Sequence, residues 1–178
     1  MSRKVIKFGL SDASVRKAIE ELQAYKRWTR KKVDELAMRL ATEGVALIRL
    51  KITEYGAIDT GALISAVSGP ERLGDGRYRV SLYVDNGSGQ NYALCVEYGT
   101  GSRGQNSPHP DADTEGWEYS SGPTIFTTRD GRTGWVYPTK NGRYLFTEGQ
   151  PSRPFWRDAT EELPSHITEI AREVFSRD

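Results

Sequence analysis

Asp59-Thr60-Gly61 is the first segment whose residue types could do chemistry. Asp-Thr-Gly is the active-site triplet of aspartic proteases, in which two carboxylates share a proton so that one acts as base and the other as acid. A single triplet requires a homodimer to supply the second carboxylate. The triplet follows a long predicted helix rather than a hydrophobic strand, so Asp59 is also expected to cap a turn or helix that leads into Ala62. An aspartic-type hydrolase that uses Asp59 stays as an alternative hypothesis.

Residues 99–104 match the G-x-G-x-x-G pattern of dinucleotide-binding loops. Such a loop must open a helix, because the amides of the helix N-terminus hold the pyrophosphate. Here the chain continues Ser107-Pro108-His109-Pro110, which predicts a non-helical segment. The segment 92–98 before the pattern is predicted to be a strand. We therefore expect no dinucleotide site and no other cofactor.

Metal ligation and nucleophilic catalysis have little support in the residue types. His109 with Asp111 and Asp113 could be imagined as ligands, but the second histidine, His166, lies on the predicted C-terminal helix. Cys95 is the only cysteine, so no cysteine cluster or internal disulfide can form. No G-x-S-x-G nucleophile elbow occurs. The sequence predicts no metal site and no catalytic residues, and His109 is expected to be a solvated loop histidine.

The chain has 178 residues, of which 37% are hydrophobic and 28% charged, enough for one modest core. It has no run near the ~18 apolar residues of a membrane span and no signal peptide, so we expect a soluble protein made in the cytosol. Residues 1–51 hold 13 basic and 6 acidic residues, a balance of +7, and the remainder balances at −6. This split favours either contact with nucleic acid or pairing of the basic end of one copy with the acidic body of another.

Hydrophobic spacing predicts helices at both ends of the chain. A short amphipathic helix starts near Ser11, and a stronger helix covers residues 29–53, with Gly44 small enough to admit a neighbour. Helical spacing returns over residues 155–175, where Pro164 is expected to kink or restart the helix. We expect a basic arm or short helix over residues 1–28 and a single domain over residues 29–178.

Alternation with period two predicts strands in the middle of the chain. Residues 78–84 form the clearest strand, and residues 124–128 and 134–137 are expected to pair as a hairpin before Asn141-Gly142 turns into a last strand. Residues 101–123 are predicted to be a long loop, mobile in the free protein. The order indicates an α+β fold, with an antiparallel sheet of about four or five strands packed against the two long helices.

Surface aromatic and basic residues are the candidates for an interface. Trp117 and Trp135 are interleaved with glycine and proline, and nearby acidic residues favour a protein partner over nucleic acid. Trp117 is the expected anchor of the loop when it docks. Lys31 and Lys32 are the expected basic contacts. A nucleic-acid-binding module that uses the basic N-terminal region is the third hypothesis.

Three segments in order resemble a family of tailed-bacteriophage proteins that join the head to the tail. They are residues 59–67, residues 92–101 and residues 151–159, and the resemblance covers about residues 30–175. Ile64 and Trp156 depart from the residues more usual in the family. The matching positions are Asp59, Thr60, Gly61, Leu63, Tyr92, Ala93, Val96, Glu97, Tyr98, Gly99, Thr100, Pro154 and Phe155.

This resemblance implies a non-enzymatic structural protein of the virion neck, also described as a tail-completion or minor capsid protein. The family implies a ring, expected to be a hexamer, between the head connector and the tail tube. Genomic DNA in the neck channel is a further possible partner, and no membrane is expected. The protein would be made in the host bacterial cytoplasm of a phage or prophage and end in the virion. None of the matching residues is expected to be catalytic.

Overall fold

The computed structural model describes residues 6, 9–85, 91–119, 124–139 and 141–176. It confirms the α+β class. No helix in this described part is long and apolar enough to cross a membrane. The elements are α1 (Asp12–Glu54), α2 (Ala62–Ser65), β1 (Val67–Gly74), β2 (Arg77–Leu82), α3 (Tyr92–Tyr98), α4 (Gly101–Asn106), β3 (Phe126–Thr127), β4 (Thr133–Pro138), β5 (Tyr144–Thr147) and α5 (Phe155–Ser176).

Helix α1 is continuous over 43 residues, so the predicted break between a short and a long N-terminal helix is wrong. The segment across that break contains neither glycine nor proline, and nothing in it stops a helix. Ser11 lies at the helix start, where its Oγ accepts a hydrogen bond from the N–H of Ser14 at 3.4 Å. The part of the expected basic arm at residues 1–5, 7 and 8 lies outside the described residues.

The chain divides into two compact units. Unit 1 comprises residues 1–46, 68–80 and 162–178, and unit 2 comprises residues 47–67 and 81–161. Helices α1 and α5 each contribute residues to both units. Each unit is described by itself below.

Unit 1 joins α1 to the second half of α5 and to the β1–β2 ribbon. A Cβ on Gly44 would lie 3.7 Å from Leu163, which confirms that this glycine faces a neighbouring element. Lys32 is only 9% exposed, and its ammonium donates to the carbonyl of Val174 at 2.8 Å. Val174 lies in the last turn of α5, where helix carbonyls lack partners, so Lys32 caps that end of the helix.

The strand predicted at residues 78–84 is confirmed as β2, but its partner β1 was not predicted. The β1 segment contains Gly69-Pro70, a pair that normally excludes a strand. Gly69 has a φ of 118°, and a Cβ there would lie 2.8 Å from the carbonyl oxygen of Arg79. The strand therefore depends on a backbone approach that only glycine allows.

In unit 2 the predicted strand at residues 92–98 is wrong, because this segment forms helix α3. The Asn91 side chain accepts the N–H of Ala93 at 3.1 Å and so caps the helix. Ala93, Val96 and Glu97 are the buried residues, which is helical rather than alternating spacing. Cys95 lies on this helix and is half-buried.

The predicted hairpins after residue 124 are confirmed. Strands β3, β4 and β5 form an antiparallel sheet in that order, with Phe126 opposite Gly134 and Val136 opposite Phe146. The five strands are divided between this sheet and the β1–β2 ribbon, whereas one sheet was expected. The expected loop at residues 101–123 is also corrected, because its first six residues form α4.

Helix α5 runs without interruption through Pro164, so of the two predicted outcomes, a kink or a restart, the restart is wrong. Proline has no N–H, and the carbonyl four residues earlier, at Thr160, loses its helical partner. Pro164 lies on an exposed face of the helix, where solvent can reach that carbonyl. The proline is therefore tolerated inside α5.

Because Lys32 caps α5, we expect a charge reversal at Lys32 to destabilise the protein far more than one at the neighbouring Lys31. We expect Lys32→Glu to lower the free energy of unfolding by about 2–4 kcal/mol, because it leaves a buried carboxylate against a carbonyl. Lys31 is exposed, so Lys31→Glu should change the free energy by less than about 0.5 kcal/mol. Urea unfolding followed by circular dichroism measures both, and equal losses would contradict the cap.

Candidate functional site

Glu97 is the centre of a buried polar cluster that joins two of the three sequence motifs. Its side chain leaves α3, is 5% exposed as a residue, and points at the N-terminus of α5. Its carboxylate accepts the N–H of Trp156 at 2.8 Å and the N–H of Arg157 at 3.0 Å. These N–H groups belong to the first turn of α5, where no carbonyl of the helix can reach them.

The distant carboxylate is needed because the sequence gives α5 no cap of its own. The carbonyl of Pro154 accepts the N–H of Asp158, which places Pro154 at the N-cap position. Proline has no side-chain oxygen to offer, unlike the serine or aspartate usually found there. Glu97 supplies the missing acceptor from 57 residues earlier in the chain and adds a negative charge at the positive end of the helix.

His109 is the second buried member of this cluster, with 3% exposure, so its prediction as a solvated loop residue is wrong. Its Nδ1 accepts the N–H of Asp111 at 3.0 Å, which leaves the ring hydrogen on Nε2. Nε2 lies 3.2 Å from the Glu97 Oε1, and the imidazole donates to the carboxylate there. Glu97 thus accepts three hydrogen bonds, as a buried carboxylate requires.

Burial raises the pKa of Glu97, and the two backbone donors and His109 oppose that rise. A raised carboxyl pKa beside a histidine is a pattern seen at catalytic sites as well as in structural networks. Here both oxygens are already occupied by donors from the protein itself. The arrangement can hold a helix end, and it presents no free oxygen to a substrate.

A stack of three rings covers the cluster. Tyr98 lies 4.3 Å from the His109 ring and 4.9 Å from the Trp117 ring, measured between centroids. The indole N–H of Trp117 donates to the carbonyl of Gly99 at 3.1 Å. Trp117 was expected to anchor a mobile loop on a partner, but it anchors its own chain. The described part of that loop contacts the same cluster through Trp117, and its mobility in the free protein stays a prediction. Residues 120–123 lie outside the described residues.

Two segments that lead into α4 and α5 approach each other with backbone against backbone. Thr100 exchanges backbone hydrogen bonds with Gln150 at 2.9 and 3.1 Å. A Cβ on Gly149 would collide with the carbonyl oxygen of Thr100, and a Cβ on Gly99 would lie 2.7 Å from the nitrogen of Ser152. Both glycines have positive φ values, 93° and 81°. These positions admit no other residue without a shift of the backbone.

The structure of the G-x-G-x-x-G segment differs from the one predicted. A helix does begin there, since Gly101 opens α4, but it has six residues and follows α3 instead of a strand. A Cβ on Gly101 would lie 2.5 Å from the carbonyl oxygen of Glu148 and 2.8 Å from the Trp135 ring. The glycines of this segment serve close packing, and the half-buried Trp135 is part of it.

The Asp59 segment lies between α1 and α2, and its side chains have roles other than those predicted. Asp59 is exposed, and Thr60 rather than Asp59 provides the local acceptor, taking the N–H of Ala62 at 3.4 Å. Gly61 precedes α2 in the left-handed conformation, and Leu63 is buried. Burial raises the pKa of Tyr92, which is partly opposed by Arg153 and supported by the charge of Asp59.

The four predicted interface residues divide into one that is exposed and three that serve the fold. Lys31 is exposed. Lys32, the second predicted basic contact, is buried and caps α5. Trp117 and Trp135 are half-buried against their own chain.

The site also contains residues that the sequence interpretation missed. Arg157 donates from Nε to Asp111 at 2.9 Å and lies 2.6 Å from Glu161.

No group of three His, Cys, Asp or Glu residues in the described ranges could hold a metal ion. A glutamate inside the otherwise apolar run 92–98 was the available signal for the Glu97 cluster.

No family model, curated protein or solved structure matches this chain.

The cap made by Glu97 can be tested by a nearly isosteric change. We expect Glu97→Gln to lower the free energy of unfolding by about 1–3 kcal/mol, because an amide nitrogen would face one of the N–H donors. Glu115→Gln on the exposed side of the same unit should be close to neutral. Thermal and urea unfolding measure both variants. A neutral Glu97→Gln would show that the carboxylate does not hold α5.

A second prediction concerns Tyr55, whose hydroxyl donates to the Asp158 carboxylate at 2.5 Å. This hydrogen bond, with smaller effects of burial and of the Asp158 charge, raises the pKa of Tyr55 to about 12. A raised pKa means that the stabilisation is complete below pH ~10, the ordinary tyrosine value, and is lost as pH rises through about 12. Spectrophotometric titration should show one tyrosine fewer near pH 10 than in Asp158→Asn.

Proposed function

We propose that this chain is a structural protein of the neck of a tailed phage or prophage particle. It forms a ring, of six copies, between the head connector and the tail tube, and completes the joint between them. The particle encloses genomic DNA, which passes through the ring. The protein is made in the host cytoplasm and has no catalytic role.

One observation carries this proposal: the motif residues are used to fasten the chain to itself. Glu97 of the second motif accepts the first N–H groups of the helix that the third motif opens. Phe155, the first residue of that helix, is 1% exposed. This use of the motif residues supports a rigid assembly component, because a subunit that bears load between two partners needs its helices fixed.

Deletion of the gene in a phage or inducible prophage that carries it is the direct test. We expect filled heads and separate tails in electron micrographs, and joined particles when the wild-type gene is supplied in trans. Antibody-labelled particles should carry the label at the neck. Joined, infectious particles without the protein would refute the proposed role.

The hydrolase hypothesis gives a separate prediction at Asp59. Because Asp59 is exposed and Thr60 provides the local acceptor, Asp59→Asn should leave thermal stability within about 0.5 kcal/mol and particle joining intact. Purified protein should cleave no peptide substrate at acid or neutral pH. Cleavage that pepstatin inhibits and that Asp59→Asn abolishes would replace the structural role with an enzymatic one.

A further inference from the structure

Unit 1 contains a groove between α1 and the β1–β2 ribbon that no residue of the described chain fills. It encloses about 730 Å³, and its lining includes Tyr25, Lys26, Arg30 and Val33 of α1. Arg72 and Asp75 line the opposite side. We name this set the basic groove. Its volume is within the range of sites that bind a small ligand or a few residues of a peptide.

The unpaired charge of the basic groove is positive, because Lys26 and Arg30 outnumber the one unpaired carboxylate, that of Asp75. Asp34 also lines it, but its Oδ1 accepts from Nε and Nη2 of Arg72 at 3.2 and 3.1 Å. The Tyr78 hydroxyl donates to its Oδ2 at 3.3 Å. Lys26 and Arg30 are exposed, and neither has an ion-pair partner among the described residues. An occupant with separated carboxylates fits this distribution.

Unit 2 contains a segment with separated carboxylates, residues 111–118. We name this segment the acidic loop. It has the sequence Asp-Ala-Asp-Thr-Glu-Gly-Trp-Glu. Asp111 is paired with Arg157, whereas Asp113, Glu115 and Glu118 are exposed, without ion-pair partners in the described part of the chain. One or two uncharged residues separate each carboxylate from the next along the sequence.

The acidic loop is already held in shape. The N–H of Glu115 donates to the carbonyl of Asp111 at 3.0 Å, and the N–H of Trp117 donates to that of Ala112 at 2.8 Å. The Trp117 indole is fastened to Gly99 and stacked on Tyr98. A preorganised loop loses little conformational entropy when it binds, which favours its use as a docking element.

We propose that a second copy of this chain docks its acidic loop in the basic groove. The contact is heterologous, since each copy presents a groove to one neighbour and a loop to the other, and such contacts form a ring when the rotation between copies closes. It deepens the proposed function by naming how copies meet. Nucleic acid fits less well, because a phosphate backbone carries a charge at every nucleotide, whereas the unpaired cations of the lining are only Lys26 and Arg30.

Charge reversal on each side tests the contact in purified protein. Lys26→Glu/Arg30→Glu and Glu115→Lys/Glu118→Lys should each weaken self-association at least about tenfold in sedimentation velocity. The matched control is Arg27→Glu/Lys31→Glu, which changes the same charge on the same exposed segment outside the groove lining. This control should associate nearly as the wild type does.

A mixture of the two reversed variants should associate again, because the loop of each now matches the groove of the other. Association of the wild type should weaken as NaCl rises from about 0.05 M to about 0.5 M. A wild type that stays monomeric up to its highest soluble concentration overturns the proposal. So does a control that loses as much as the groove variant, or a mixture that stays apart.

Titration with a short duplex DNA tests the remaining alternative, that the groove binds nucleic acid. The wild type could bind the DNA, and Lys26→Glu/Arg30→Glu could abolish that binding without changing self-association. This result would assign the groove to nucleic acid and overturn the proposal. The proposed function in the neck is refuted separately, by particles that join without the protein. Even in that case, purified copies that associate through the basic groove and the acidic loop would establish the contact between copies.

Discussion

The N-terminus of α5 depends on one buried carboxylate, that of Glu97. Burial of Glu97 costs free energy, and only the three donors that surround it offset that cost. Two of those donors exist only if α5 starts where it does, and the third exists only if His109 is held in one tautomer. Formation of α3, the fixing of the His109 segment and the start of α5 are therefore coupled, since each leaves an unsatisfied buried group if the others are absent. This coupling links segments that lie 57 residues apart in the sequence, and we expect them to unfold together.

The sequence predicts most of the periodic structure and little of this cluster. The α+β class, the long helices and both hairpins follow from local signals, namely hydrophobic spacing and the turns at Gly131 and Gly142. Helix α3 could not be predicted in the same way, because a short run of apolar residues fits a strand or a buried helix equally well. Asn91 and the distant N-terminus of α5 decide between them. The β1 strand was missed because Gly69-Pro70 is a strong local signal that a close backbone contact overrides.

The sequence singled out some positions of the candidate site but not their roles. Glu97, Gly99 and Pro154 were selected by resemblance, and the structure brings all three to the start of α5. Lys32 shows the opposite case, since a lysine in a basic run is expected at the surface and this one is buried as a helix cap. Neighbouring residues of equal charge thus have unequal functions, because position on the helix face decides what each side chain can reach. Charge counts along a sequence cannot supply that distinction.

The contacts of Gly99 and Gly149 also bear on how relatives of this protein could be found. A hydrophobic core tolerates exchange among residues of similar volume, so its sequence drifts while the fold persists. A glycine pressed against a facing backbone has no such substitute, and neither does a buried acid that accepts hydrogen bonds from a helix end. Glu97, Gly99 and Gly149, with their spacing and the proline that precedes α5, are therefore the positions at which we expect distant relatives of this fold to differ least.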